Sequence, residues 1–211
     1  MAETEEEQIE AIKEWWRENG RAVIIGIVLG VGGILGWRGW QSHQEAQAIN
    51  ASAIYQDALA AIEAGEPDTV RNNAQQLIDD YPKTSYAQFA AMLLAKQAVE
   101  DGDLDVAEEQ LRWATDNSTD PSLTHTARLR LLQVLLASDK PDAVLAMIDQ
   151  TGFDRFAAQY EELRGDALLA QGDLGAARDA YKTALTSLPP RSAGRELLEI
   201  KLDNLGQPED V

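Results

Sequence analysis

At 211 residues the chain has room for one ordinary domain and an appendage, and a net charge of −18 turns it away from phosphate backbones and anionic lipid surfaces. A nucleic-acid role is therefore excluded as an expectation. Cysteine is absent, which removes disulfides, thiolate zinc sites, a cysteine nucleophile and a lipidated N-terminal cysteine from consideration.

The charge is distributed unevenly. Residues 1–21 form an acidic tail in which seven glutamates oppose Lys13, Arg17 and Arg21, a net of −4. Arg38 adds one positive charge, leaving −15 on residues 41–211. Between them lies AVIIGIVLGVGGILGWRGW, residues 22–40, whose first 16 residues carry no charge. As a helix rising about 1.5 Å per residue, the stretch reaches roughly 28 Å, close to a hydrocarbon core of about 30 Å. Arg38 falls in its last turn, where the side chain can snorkel to the headgroups. Trp37 and Trp40 suit the interface on that side, and Trp15 and Trp16 suit the other.

Two other readings of the stretch fare worse. A signal peptide needs a short basic leader and a cleavage site close behind its apolar run. Here the leader is long and acidic, and the A-x-A of Ala46 to Ala48 lies about ten residues too far on, beyond Arg38 and two tryptophans. A buried core helix would have a polar face and fewer than six glycines. Residues 22–40 are thus expected to be a retained transmembrane helix. Lys13, Arg17 and Arg21 closely precede it, and the next basic residue after Arg38 is Arg71, so the N-terminus is expected in the cytoplasm and residues 41–211 on the far side. Gly26 and Gly30, then Gly32 and Gly36, have the spacing that lets another helix approach in lipid. Glycine is also simply common in membrane helices, and both readings stand.

Residues 41–50 continue the helix or link it to the domain beyond. In that domain alanine and leucine recur at helical spacing and no strand-like alternation persists. The punctuation repeats. From Gly172, Ala177 follows at +5, Tyr181 at +9, Ala184 at +12 and Pro189 at +17. Gly102 has Ala107, Leu111 and Ala114 at the first three offsets, and Gly65 has Val70, Ala74, Leu77 and Pro82. A fainter copy counted from Ser138 gives Ala143, Met147 and Gln150. Seven residues before these origins stand Ala58, Ala95, Leu131 and Gly165.

A period near 34, small residues at helix crossings and a proline after the second helix resemble the tetratricopeptide repeat. Small side chains let two antiparallel helices approach, and Tyr181 fills the wider gap. Gly172 ends one helix in a left-handed conformation and Asp173 caps the next. The expected fold is all-α: a single N-terminal transmembrane helix, then a tetratricopeptide-like α-solenoid of about four helix pairs over residues 51–190. A C-terminal capping helix and tail occupy residues 191–211, with Leu198, Leu202 and Leu205 on one face.

No catalytic, cofactor or metal residue is expected. Asp101, Asp103 and Asp105 imitate the start of a calcium loop, but Val106 stands where glycine is needed and Arg112 where a glutamate is needed. His43 and His125 have no second ligand at metal spacing, and no phosphate loop, nucleophile elbow or HExxH occurs. The chain reads as a non-enzymatic interaction protein. In tetratricopeptide repeats the concave binding surface comes mainly from the first helix of each pair. Carried over by repeat geometry, it comprises Tyr55, Phe89, Met92, Lys96, His125, Arg128, Gln159, Glu162 and Asp166. The apolar members serve equally well as core, and the polar ones as ordinary surface.

WWRENGR at residues 15–21, VLGVGGILGWR at residues 28–38 and QSHQ at residues 41–44, ahead of a degenerate repeat array, resemble the YfgM family of ancillary SecYEG translocon subunits. The resemblance covers essentially the entire chain. It implies a single-span protein of the bacterial inner membrane with a periplasmic repeat domain. It also implies association with the translocon and with PpiD, a membrane-anchored periplasmic chaperone, and it leaves room for contact with unfolded or newly exported polypeptides. The alternative is a structural scaffold for another envelope assembly, such as division or outer-membrane biogenesis machinery. The −15 domain is expected to favour cationic segments in a salt-dependent way.

Overall fold

The structure, a computed structural model, describes residues 5–118, 120–152 and 154–206. The first four residues of the acidic tail and the tail beyond residue 206 lie outside the described residues. Two compact units divide at residue 50, Met1–Asn50 and Ala51–Val211. Helix α1 (Glu5–Ala64) forms the first unit and supplies the opening turns of the second.

In the first unit the large apolar side chains from Ile24 to Trp40 are all exposed. Nothing lies within contact distance of a Cβ added at Gly26, Gly30, Gly32 or Gly36. Trp37 and Trp40 pair with ring centroids 5.1 Å apart. Apolar side chains on every face leave this segment without a water-compatible side. Among the described residues, α1 is the one helix long and apolar enough to cross a membrane.

The second unit continues through α2 (Pro67–Asp80), α3 (Ser85–Glu100), α4 (Leu104–Asn117), α5 (Pro121–Ala137) and α6 (Pro141–Asp149). A 3₁₀ turn at Asp154–Phe156 precedes α7 (Ala157–Ala170), α8 (Leu174–Ser187) and α9 (Gly194–Asn204). Among the described residues these make four helical hairpins and a closing helix. Proline at the first turns of α2, α5 and α6 costs no hydrogen bond there and pre-sets the backbone. Thr84, Asp103, Asp120 and Asp173 accept hydrogen bonds from the free amides of α3, α4, α5 and α8.

One turn geometry closes all four hairpins. Gly65, Gly102, Asp139 and Gly172 adopt left-handed φ of 70°, 80°, 58° and 83°. The amide of the next residue donates to the carbonyl five positions back: Glu66 to Ala61, Asp103 to Ala98, Lys140 to Leu135 and Asp173 to Leu168. This bond satisfies a carbonyl that the helix end leaves free. The third repeat therefore begins at Asp139, one residue later than the count from Ser138. A search for glycine misses it, because aspartate tolerates the left-handed region. In the corrected register Val70, Ala107, Val144 and Ala177 are equivalent, as are Ala74, Leu111, Ile148 and Tyr181, and all eight are buried. Ala143 and Met147, which the Ser138 count placed inward, are only partly buried.

The main core runs from Ala51 to Ala167 through all the hairpins. A second cluster joins Ala177, Tyr181 and Ala184 of α8 to Leu198 and Leu205, with Leu202 packed beside them. Helix α9 thereby covers the apolar face that a last repeat would otherwise expose.

Candidate interaction groove

The first helices of the hairpins carry the residues expected to face a partner, and the structure sorts them into four places. At the start of the array Tyr55 meets Tyr86 and Phe89 with ring centroids 5.7 and 5.8 Å away. Tilted aromatic contacts of this kind are favourable beyond their buried area. All three are partly buried and pack on the main core.

Met92 and Lys96 share a cavity of about 410 Å³ between α3 and α5, with α4 behind it. Met92, Lys96 and Val99 stand at i, i+4 and i+7 on α3, so one stripe of that helix faces the cavity. Arg130, Gln133 and Ala137 form the matching stripe on α5. Met92 and Leu111 at its floor are buried. Lys96 is exposed and ion-paired with Glu100 at 2.7 Å.

His125 lies in the interior between α5 and α7. Its ring stacks on Phe156 with centroids 4.7 Å apart, and its Nδ1 is 2.9 Å from the Tyr160 hydroxyl. Burial pushes the Tyr160 phenol above its ordinary pKa, and the nearby Arg128 guanidinium partly offsets that rise. His125 thus belongs to a buried polar network rather than to open surface.

Gln159 is exposed on α7, at i, i+3 and i+7 spacing with Glu162 and Asp166. Glu162 and Asp166 are not open. Lys201 of α9 donates to Glu162 at 2.7 Å and to both oxygens of Asp166 at 2.7 and 2.8 Å. The Tyr181 hydroxyl donates to the same Asp166 Oδ1 at 2.7 Å. The ammonium lies 5.7 Å from the centroid of the Tyr181 ring. The capping helix therefore occupies the end of the face that α7 contributes.

Arg130, Gln133 and Val99 escaped the reading of the sequence. The missed signal is the register. Counted back six from the left-handed residue, Lys96, Gln133 and Asp166 are equivalent. Counted from Ser138, the same offset falls on Leu132, a core residue.

A family model described as a tetratricopeptide repeat-like domain matches residues 13–207. The chain is 36% identical over 203 residues to the "Ancillary SecYEG translocon subunit" of Escherichia coli (strain K12), covering 96% of this chain and 97% of that one. The protein of the same name from Haemophilus influenzae is 36% identical over 201 residues, covering 95% and 97%. The Neisseria gonorrhoeae protein of that name is 31% identical over 202 residues, again covering 95% and 97%.

Proposed function

This chain belongs to the family of ancillary SecYEG translocon subunits, and from that premise we propose that it is an accessory, non-enzymatic interaction protein of the translocon. The observation that carries the reading is similarity over nearly the whole length, N-terminal helix included. A repeat array alone would fit many roles, whereas array and helix together match relatives that bear one name.

The proposed mechanism is tethering. Residues 22–40 cross the inner membrane once, with Lys13, Arg17 and Arg21 holding the N-terminus in the cytoplasm, and the helical array lies in the periplasm. Anchoring confines the array beside emerging chains and raises the effective concentration of weak binding partners. The groove formed by the first helices of the hairpins contacts newly exported polypeptide or a partner chaperone such as PpiD. Gly26, Gly30, Gly32 and Gly36 offer the anchor a close-packing face for another membrane helix.

Partner capture tests this. The tagged full-length protein, expressed at its natural level, is crosslinked in cells, solubilised gently, and its partners are identified by mass spectrometry. A companion variant lacks residues 1–40 and is exported by a cleavable signal. Translocon subunits and PpiD are expected with the full-length protein. Recovery of PpiD alone with the truncated form assigns that contact to the array. A stable partner set without translocon subunits sinks the reading and defines the envelope scaffold the protein serves instead.

A further inference from the structure

We infer that the cavity between α3 and α5 holds one bulky apolar side chain of an extended polypeptide, with an aspartate or glutamate of the same segment on Arg130. The inference rests on the proposed function, that the array contacts polypeptide, and names the chemistry of the segment.

The cavity has the character of a ligand pocket. Its volume of about 410 Å³ lies within the roughly 300–1,000 Å³ usual for such sites. Met92, Ala95, Leu111 and Val134 make a buried apolar floor. Val99, 45% exposed, stands on the wall as an apolar side chain that water reaches. An apolar side chain seated there removes surface from water on both partners.

The rim decides which apolar side chains stay. Lys96 is already paired with Glu100. Arg130 is exposed and has no ion-pair or hydrogen-bond partner among the described residues. Of the two cations that line the cavity, Arg130 is the one left without a carboxylate. Guanidinium suits a carboxylate because its fork of N–H groups matches the two oxygens. Gln133 beside it offers both a donor and an acceptor to the backbone of an extended segment.

This choice opposes the one that net charge predicts. The −15 of residues 41–211 draws cations at long range, but that field decays over about 8 Å at physiological ionic strength. A carboxylate in direct contact with Arg130 lies inside that distance, so the local contact sets the preference.

The test uses the full-length protein in detergent micelles and short, dye-labelled, C-terminally amidated peptides read by fluorescence anisotropy at physiological salt. Each peptide carries one central phenylalanine in a Gly/Ser frame, flanked by glutamate, glutamine or lysine. The expected order of affinity is glutamate, then glutamine, then lysine, and replacing the phenylalanine by alanine abolishes binding. Arg130→Gln is expected to weaken the glutamate peptide about 3- to 10-fold and level it with the glutamine peptide. Arg130→Glu is expected to invert the order in favour of lysine. Arg130 is exposed, so circular dichroism should show both variants folded. Preference of the wild type for the lysine peptide, an unchanged glutamate preference in Arg130→Gln, or no binding of any peptide each overturns the inference. Failure of the translocon reading shows separately, as loss of translocon subunits from the native-membrane capture, whichever way the peptides behave.

Discussion

Gly165 and Tyr181 occupy one another's space. A Cβ at residue 165 would fall well inside van der Waals distance of the Tyr181 ring, which is buried and tied by its hydroxyl to Asp166. Neither the ring nor the helix can withdraw without opening the α7–α8 crossing. Gly165→Ala is expected to cost about 1–3 kcal/mol by overpacking, read as a lower urea midpoint. An unchanged midpoint would mean the crossing is loose. Lys201 presents an electrostatic case. Burial opposes its charge, yet its hydrogen bonds to Asp166 and Glu162 outweigh that and raise its pKa. A folded value above the unfolded one of about 10.4 gives stability that is fully present below that pH and is lost as pH rises through the folded value. Burial, then the neighbouring Asp166, push the Tyr181 phenol up as well, so its ionisation also opposes the fold in alkali. Lys201→Met leaves two carboxylates without their cation. At neutral pH it is expected to cost about 1–2 kcal/mol, less than a fully buried pair because the groups are partly exposed. The gap between wild type and variant should narrow above about pH 10.4. A gap that does not change with pH would remove the ion pair from the account.

Helix α6 shows what one residue of register means. Asp139 holds the left-handed turn that glycine holds in the other three hairpins, which turns Val144 and Ile148 to the core. Ile148→Ala should therefore cost about 2–5 kcal/mol, and Met147→Ala distinctly less, in the same chemical-denaturation experiment. The reverse order would restore the count from Ser138. The crossing residues of the fourth hairpin were legible from their offsets, because glycine, alanine and tyrosine there differ sharply in size. The third hairpin was obscured because Ala143 and Met147 are as apolar as Val144, and no glycine marks the turn. Helix α9 was legible as a leucine stripe. Its ionic grip on α7 was not, since no local spacing links Lys201 to Asp166 across 35 positions.

The proposed orientation of the full chain turns on three cations. Replacing Lys13, Arg17 and Arg21 by glutamine, with lysines added just beyond Trp40, should invert a measurable fraction of molecules, scored by protease protection of the C-terminal domain in spheroplasts. Persistence of the original topology would show that the array, and not the basic residues, sets it.

Composition and periodicity alone announced the apolar stretch, the helical class, the repeat period and the capping leucines. Each is a property of neighbouring residues, because hydrocarbon thickness, the helical turn and the size of crossing side chains act over a few positions. Packing settled the rest. It placed the third turn on Asp139, put His125 inside a polar network, engaged Glu162 and Asp166 with Lys201, and set Arg130 over an apolar cavity. Those outcomes depend on helices some 30 or more residues apart meeting at contact distance, where hydrogen-bond geometry and burial choose among side chains that the local pattern leaves equivalent.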